Sequence, residues 1–524
     1  MSAAAPERSP TPVLDGPAGQ PGIAGGGGRS RWAPVVVTLL AVALLARRPA
    51  YMLGHPFWTD EAWVADSVRA PLGQVPLLTS STPIGWTLLL RLVPPVGGPE
   101  HLRLLPLAFG VASVIPAWSL GRMLGGATPV YGLAAALAAA AVPGGLARHD
   151  LKAYTAEACL AVVLVVAAAR LEASWSRGRL AVFASCCVLT FLFSNAAPFV
   201  AAGLLGGLAL ASASRRAWRR LAELTVVAVA VALAHGAFYV WVASAGDNAA
   251  MRAYWSWRYI PLDRGVGAAA GFAAERFQAA LHDLGLGPWP VAAALVGLGL
   301  VALARAGLGG VALAAPLIAV ELVVAGALRR YPFLDQRTSL FVSTLWMVLA
   351  GIGIAWLAVR LVRWRPAVVL VVAGLVAVAA VLVPTARKAA ATPLPDADVH
   401  GVVRYVLDHR EPGDVVVVSY HDSYSFAWYW PDWPVFVRTR APTAVRFQVT
   451  YPPGGPVVAR YVDDAALDDA LGQVRPGTRR VWLLFEHYTG DQRARWRARL
   501  VGLGASAQEP VDGLVLARFP AGPP

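Results

Sequence analysis

The feature that most limits what this chain can become is the succession of apolar runs that fills residues 32–384. They fall near 32–53, 104–121, 127–147, 152–170, 180–194, 196–213, 221–245, 286–304, 306–328, 338–359 and 366–384. A helix needs about 20 consecutive apolar residues to cross the hydrocarbon of a bilayer, and in lipid only a helix or a closed barrel satisfies its own backbone. With 57% apolar and 15% charged residues among 524, a bilayer is the natural solvent. The expected fold class is an α-helical polytopic membrane protein with about eleven transmembrane helices. The fifth and sixth runs are separated only by SNAAP at 194–198, so they form two short helices or a re-entrant pair.

Arginine sets the expected orientation. If the N-terminus is cytoplasmic, the inner loops hold Arg122, then Arg170, Arg177 and Arg179, then Arg215, Arg216, Arg219 and Arg220, then Arg305, then Arg360, Arg363 and Arg365. The same assignment puts Asp60, Glu61, Asp66, Asp150, Asp247, Asp263, Glu275, Asp283 and Asp335 outside. The net charge of +14 is thus a matter of topology: the cations are scattered between apolar runs, with no basic domain or RNA-binding signature, and nucleic acid is not an expected partner. Cys159, Cys186 and Cys187 all lie in apolar runs and supply no disulfide framework.

Three regions follow. Residues 1–31, rich in Pro, Gly and Ala with no apolar core, are expected to be a disordered cytoplasmic tail rather than a cleaved signal. Residues 32–384 form the transmembrane domain, with long outer loops at 54–103 and 246–285. The first loop carries FWTDEAWVADSV and the short apolar piece STPIGWTLLLRLV; the second carries MRAYWSWRYIP and the amphipathic GFAAERFQAALHDL. Residues 385–524 change texture to helix (ADVHGVVRYVLDHR), strand (DVVVVSY), helix (SYSFAWYW), helix (DDAALDDALGQV), strand (RRVWLLFEH), helix (DQRARWRARL) and strand (GLVLARF), a small extracytoplasmic α/β domain. No glycine-rich phosphate loop follows either early strand.

Candidate chemistry sits at the outer ends of the helices. Asp60 and Glu61, flanked by Trp58 and Trp63, stand where partial desolvation suits a carboxylate to general-base work; the ordinary reading is a solvated helix N-terminus. In RHDLKAYTAE, His149, Asp150, Lys152, Tyr154 and Glu157 gather two acids, a cation and a phenol within about two helical turns, with a snorkelling lysine and an interfacial tyrosine as the alternative. The turn RRYPFLDQR puts Arg329, Arg330 and Arg337, with Tyr331 between them, on the outer side against the positive-inside trend. Those cations need an anion, either lipid headgroups or the phosphate of a lipid-linked substrate. Arg47 and Arg48 at the end of the first run have the same need. Glu321 and His235 are single polar groups in apolar runs, read as interhelical hydrogen-bonding groups. His421, Asp422, Glu486 and His487 lack metal-ligand spacing.

The order of these pieces, TDEAW, TPIGWTLLLRL, LRLLPLAFGVASVIPAWSLGRMLGG, LKAYTAE and YPFLDQRTSLF, resembles the bacterial GT-C glycosyltransferases of the protein O-mannosyltransferase and aminoarabinose-transferase type over residues 32–384. The resemblance implies transfer of a sugar from a polyprenyl-phosphate donor to an acceptor hydroxyl of an envelope glycan, glycolipid or protein, outside the bacterial plasma membrane. It implies Asp60 as the catalytic acid of the first loop with Glu61 beside it, Asp150 as the second acid, and Lys152 and Arg337 as phosphate contacts. Tyr154, Glu157 and Tyr331 would complete the substrate site. His149 or Glu157 in place of Asp150 is left open, as is a divalent metal near the acids. A lipid or sugar flippase and an inert membrane anchor for the soluble domain are the competing readings; a flippase would favour ionisable groups near the bilayer midplane rather than at helix ends.

Overall fold

The computed structural model describes residues 32–79, 82–125, 128–142, 151–242, 249–361, 398–438, 447–459, 464–473, 478–485 and 491–520. The chain divides into two compact units, Met1–Thr38 and Leu39–Pro524. The described part of the first is the opening of helix α1 (Ala33–Ala46), apolar on every face as a helix in lipid must be. Everything below concerns the second.

Arg48, in the left-handed region at φ 48°, turns the chain from α1 into the short α2 (Pro49–Leu53). The first outer loop then folds as α3 (Thr59–Arg69), α4 (Val75–Leu78) and α5 (Ile84–Leu90). The apolar helices follow: α6 (Leu104–Ala112), α7 (Val114–Gly125), α8 (Val130–Ala140), α9 (Tyr154–Ala173), α10 (Arg177–Thr190), α11 (Ala197–Ser214) and α12 (Trp218–Trp241). The second loop holds α13 (Ala249–Tyr254) and the amphipathic α14 (Val266–His282), and α15 (Trp289–Arg305), α16 (Gly309–Ala327) and α17 (Leu340–Leu361) complete the set. Each apolar run from 32–53 to 338–359 thus contains helix among its described residues, while 143–147, 243–245 and the run at 366–384 lie outside the described residues.

Among the described residues, five stretches are long and apolar enough to cross a bilayer: His101–Gly125, Ala197–Ser214, Trp218–Trp241, Gly309–Ala327 and Leu340–Leu361. Shorter apolar helices at Ala33–Ala46, Val130–Ala140 and Trp289–Arg305 accompany them. The SNAAP break divides two helices, with α10 ending at Thr190 and α11 resuming at Ala197. Small residues let the helices close on one another: a Cβ on Gly207 of α11 would collide with the Gly310 carbonyl of α16, the close approach on which packing in lipid depends. Glu172 of α9 seals the same contact, accepting from the Gly310 and Val311 N–H groups at 2.8 and 3.0 Å and so capping α16.

The C-terminal region opens with α18 (Val399–His409), β1 (Val415–Val418) and α19 (Ser423–Tyr429). It continues with β2 (Val435–Arg438), β3 (Phe447–Thr450), β4 (Val457–Val458), α20 (Asp464–Gly472), β5 (Arg480–Leu484), α21 (Gln492–Gly502), β6 (Ser506–Val511) and β7 (Leu514–Arg518). A five-stranded sheet runs β4-β1-β5-β7-β6, with β1 parallel to β4 and β5, and β7 antiparallel to β5 and β6. Alternation along the strands serves both faces: Val416, Val418, Trp482 and Leu484 meet α18 and α19, while Val417, Leu483 and Val515 meet α20 and α21. The helices and strands expected from the sequence are all present. The structure adds β4 and β6 at the sheet edges and the separate β2–β3 hairpin. Strand β6, SAQEPV, is polar and exposed along most of its length, so no alternating pattern marks it.

Helix α19 has a second face. Tyr424, Ala427 and Trp428 join Phe57, Trp63 and Ala65 of the first outer loop in one hydrophobic cluster, so the C-terminal region is seated on the helix that carries the acidic pair.

Candidate active site

Asp60 lies in the first turn of α3, where acids favour the helix dipole. Its Oδ2 accepts from Lys152 Nζ and from Arg337 Nη1, both at 3.1 Å. These three side chains come from stretches 92 and 277 residues apart. The Asp60 side chain is 29% exposed while Lys152 and Arg337 are 13% and 14% exposed, so the carboxylate is the most accessible of the three. Burial alone would raise the Asp60 pKa, but Lys152 and Arg337 outweigh it and hold the carboxyl below the usual carboxylate range.

Each cation is itself fixed. Leu151, buried beside Lys152, gives its carbonyl to the Trp86 indole N–H of α5 at 2.5 Å, and Lys152 Nζ stands 4.7 Å from the centre of the Trp63 ring. Arg337 reaches Tyr254 Oη at 3.3 Å and lies over Trp255. Asp335 braces the turn beneath it: one carboxylate oxygen accepts from the Arg337 and Thr338 N–H groups, and the other pairs with Arg258 at 3.2 Å. Two stretches of the aromatic-rich second loop therefore wall the site.

Glu61, next to Asp60 in sequence, does something different. Arg103 forks onto both of its oxygens and also donates to the carbonyls of Met52, His55 and Pro56, with both side chains buried. The pair is a strut that closes the turn leading into α3.

The remaining sequence candidates separate by place. Asp150 and His149 lie outside the described residues. Tyr154, in the first turn of α9, is near enough to Arg337 to act on its charge. Glu157, one turn further on and buried, accepts from the Asn195 N–H at 2.8 Å, tying α9 to the break before α11. Tyr331 donates to the Thr338 carbonyl at 2.6 Å and stacks edge-on against Phe199. Arg329 pairs with Asp263 at 3.3 Å. His235 packs on Phe191. Asp422 is buried and accepts from Ser419 Oγ at 2.6 Å, while Glu486 and His487 lie outside the described residues. Among the described residues, no three His, Cys, Asp or Glu side chains converge as a metal site.

Sequence reading missed the brace from the C-terminal region. Tyr429 Oη accepts from the Phe57 N–H at 2.6 Å and donates to Glu100 at 2.9 Å. Arg69, at the far end of α3, lies flat over Trp428 at 3.4 Å and donates to its carbonyl at 2.9 Å. Asp66, between these anchors, is buried, with burial pushing its pKa well above the usual range against the opposing pull of Arg69. Charged residues in a short interfacial segment, as in PEHLRLLP, were the available signal that Glu100 and Arg103 have partners.

No family model matches the sequence, and no curated protein matches it. Solved structures do. ArnT from Cupriavidus metallidurans in the apo state superposes with a TM-score of 0.54 at 13% identity, covering 94% of this chain and 99% of that one. The same protein bound to undecaprenyl phosphate gives 0.52 at 13% identity over 95% and 100%. An oligosaccharyltransferase from Archaeoglobus fulgidus, tethered with an acceptor peptide, gives 0.50 at 13% identity over 94% and 75%. The fold is of the GT-C type, a multi-pass membrane architecture with a C-terminal sheet region.

Proposed function

We propose that this chain is a membrane glycosyltransferase that takes a sugar from a polyprenyl-phosphate donor and passes it to an acceptor hydroxyl at the extracytoplasmic face. The observation that carries this is the half-open Asp60 carboxylate bridged by two cations from separate parts of the chain. Solved structures of like fold include one bound to undecaprenyl phosphate, the carrier that a polyprenyl-phosphate sugar leaves behind on transfer, and one tethered with an acceptor peptide.

In the resting site Asp60 is a weak base, because Lys152 and Arg337 hold its charge. A donor phosphate entering beside them competes for the same cations. As they turn to the phosphate, Asp60 recovers its proton affinity where the acceptor hydroxyl arrives. The hydroxyl oxygen then bonds to the anomeric carbon while the carbon–oxygen bond to phosphate breaks. The bonding pair leaves with the phosphate, whose added charge Lys152 and Arg337 stabilise, and the hydroxyl proton passes to Asp60. Attack opposite the leaving group inverts the anomeric centre. Glu61 serves as the strut that fixes α3, and Tyr154 and Tyr331 line the Arg337 side. Arginine-rich inner loops support a cytoplasmic N-terminus in the cell membrane and an extracytoplasmic C-terminal region.

The test is transfer from labelled polyprenyl-phosphate sugars by the purified full-length protein. Asp60→Ala is expected to lower the rate by about 10²–10⁴-fold, the usual worth of a positioned base. Undiminished transfer would remove Asp60 from this role.

A further inference from the structure

Arg47 follows α1, buried at 7% exposure, and among the described residues no carboxylate pairs with its guanidinium. Its Nε has no hydrogen-bond partner. The guanidinium passes over Gly110 of α6 and borders a small cavity, with about 10 Å³ open to a water-sized group, lined also by Ser113, Thr155 and Thr344. Thr155 Oγ1 is likewise buried without a partner. A buried charge left uncompensated is costly, so such an arrangement persists where an anion completes it.

Register shows where the cavity sits. Thr155 lies three residues after Lys152, in the first turn of α9, and the cavity residues Leu340 and Thr344 lie three and seven residues after Arg337, in the first two turns of α17. The Arg47 cavity is therefore the layer directly below the Asp60 cluster, on the side from which the helices descend into lipid. A polyprenyl or phospholipid phosphate approaches from that side, tail downward.

We infer that Arg47, with the Thr155 hydroxyl, forms a second anion subsite beneath the Asp60 cluster that receives a phosphoryl oxygen of a lipid-linked phosphate. The volume fits one oxygen atom, so the phosphate bridges the two layers, held from above by Lys152 and Arg337 and from below by Arg47. This rests on the proposed function where the lipid is the sugar carrier; a bilayer phospholipid headgroup presents the same chemistry.

The experiment uses the full-length protein in nanodiscs containing phosphatidylglycerol, with undecaprenyl phosphate added, and reads retained lipid by native mass spectrometry for wild type and Arg47→Gln. A loss of undecaprenyl phosphate of about tenfold, with phosphatidylglycerol unchanged, supports the subsite with the carrier as its ligand. A loss confined to phosphatidylglycerol supports it with a bilayer lipid as the ligand. Equal retention of both lipids by wild type and variant overturns it. If wild type holds no undecaprenyl phosphate while the variant sheds phosphatidylglycerol, the transferase reading falls and the subsite stands. Should Arg47→Gln not fold, Arg47→Lys is read instead. It keeps the charge but not the fork, so a several-fold loss supports the subsite and wild-type retention overturns it.

Discussion

Removing Arg103 tests how the acidic helix is held. In Arg103→Met the Glu61 carboxylate, 6% exposed, keeps its charge and loses both of its forked bonds. Breaking a buried pair from one side costs about 3–5 kcal/mol, because the survivor remains desolvated. The carbonyls of Met52, His55 and Pro56 lose their donor as well, at about 1 kcal/mol each where water cannot reach them. The total approaches the whole stability of an ordinary domain, about 5–15 kcal/mol, so the turn before α3 should open even if the bundle survives. Replacing both partners, Arg103→Met with Glu61→Leu, removes the stranded charge and leaves only the carbonyl cost, about 1–3 kcal/mol. The assay is unfolding of both single variants and the double variant in mixed micelles, with limited proteolysis of the 52–58 segment as a local readout. A double variant as unstable as the two singles added together, or Arg103→Met within about 0.5 kcal/mol of wild type, refutes the strut.

Other expectations follow from the same contacts. Lys152→Met leaves Asp60 to Arg337 alone and weakens the hold on a donor phosphate, so KM for the donor should rise more than kcat falls; unchanged kinetics would remove Lys152 from the site. Tyr429→Phe takes the hydroxyl acceptor from the Phe57 N–H and a donor from buried Glu100, and should cost about 1.5–3 kcal/mol in the same unfolding assay. Asp66 has its folded-state pKa raised by burial, so its contribution is present below the ordinary value of 3.8 and is lost as pH climbs through the raised one. Asp66→Asn should flatten that decline, and parallel stability profiles for wild type and variant from about pH 5 to about pH 8 would contradict it. Gly207→Val drives a side chain into the Gly310 carbonyl and should destabilise the α11–α16 contact by about 1–3 kcal/mol, seen as a lower Tm.

Apolar length made the helices legible, because a lipid-facing helix advertises itself by composition alone. The sheet's inner strands were legible for a related reason: VVVV and RVWLL are buried on both faces. Edge strands such as β6 and β4 carry no such mark, since their pairing is decided by neighbours elsewhere in the chain. In the site, local chemistry pointed to Asp60, Lys152 and Arg337 as candidates, yet their meeting on one carboxylate oxygen is a tertiary fact. The difference between Asp60 and Glu61 was invisible for the same reason. Adjacent acids look alike until Arg103, 42 residues on, takes one of them. Tyr429 lies further still, at 372 residues from Phe57, with nothing in SYSFAWYW to say that its hydroxyl belongs to the first loop.

That last contact has a consequence for biosynthesis. The segment bearing Asp60 leaves the ribosome early, while the tyrosine that grips its entry is made more than three hundred residues later. A nascent or truncated chain can insert its helices and still lack the part that fixes the acid in place. On the proposed function, the acid-bearing loop gains its fixed geometry only once the chain has been made through Tyr429.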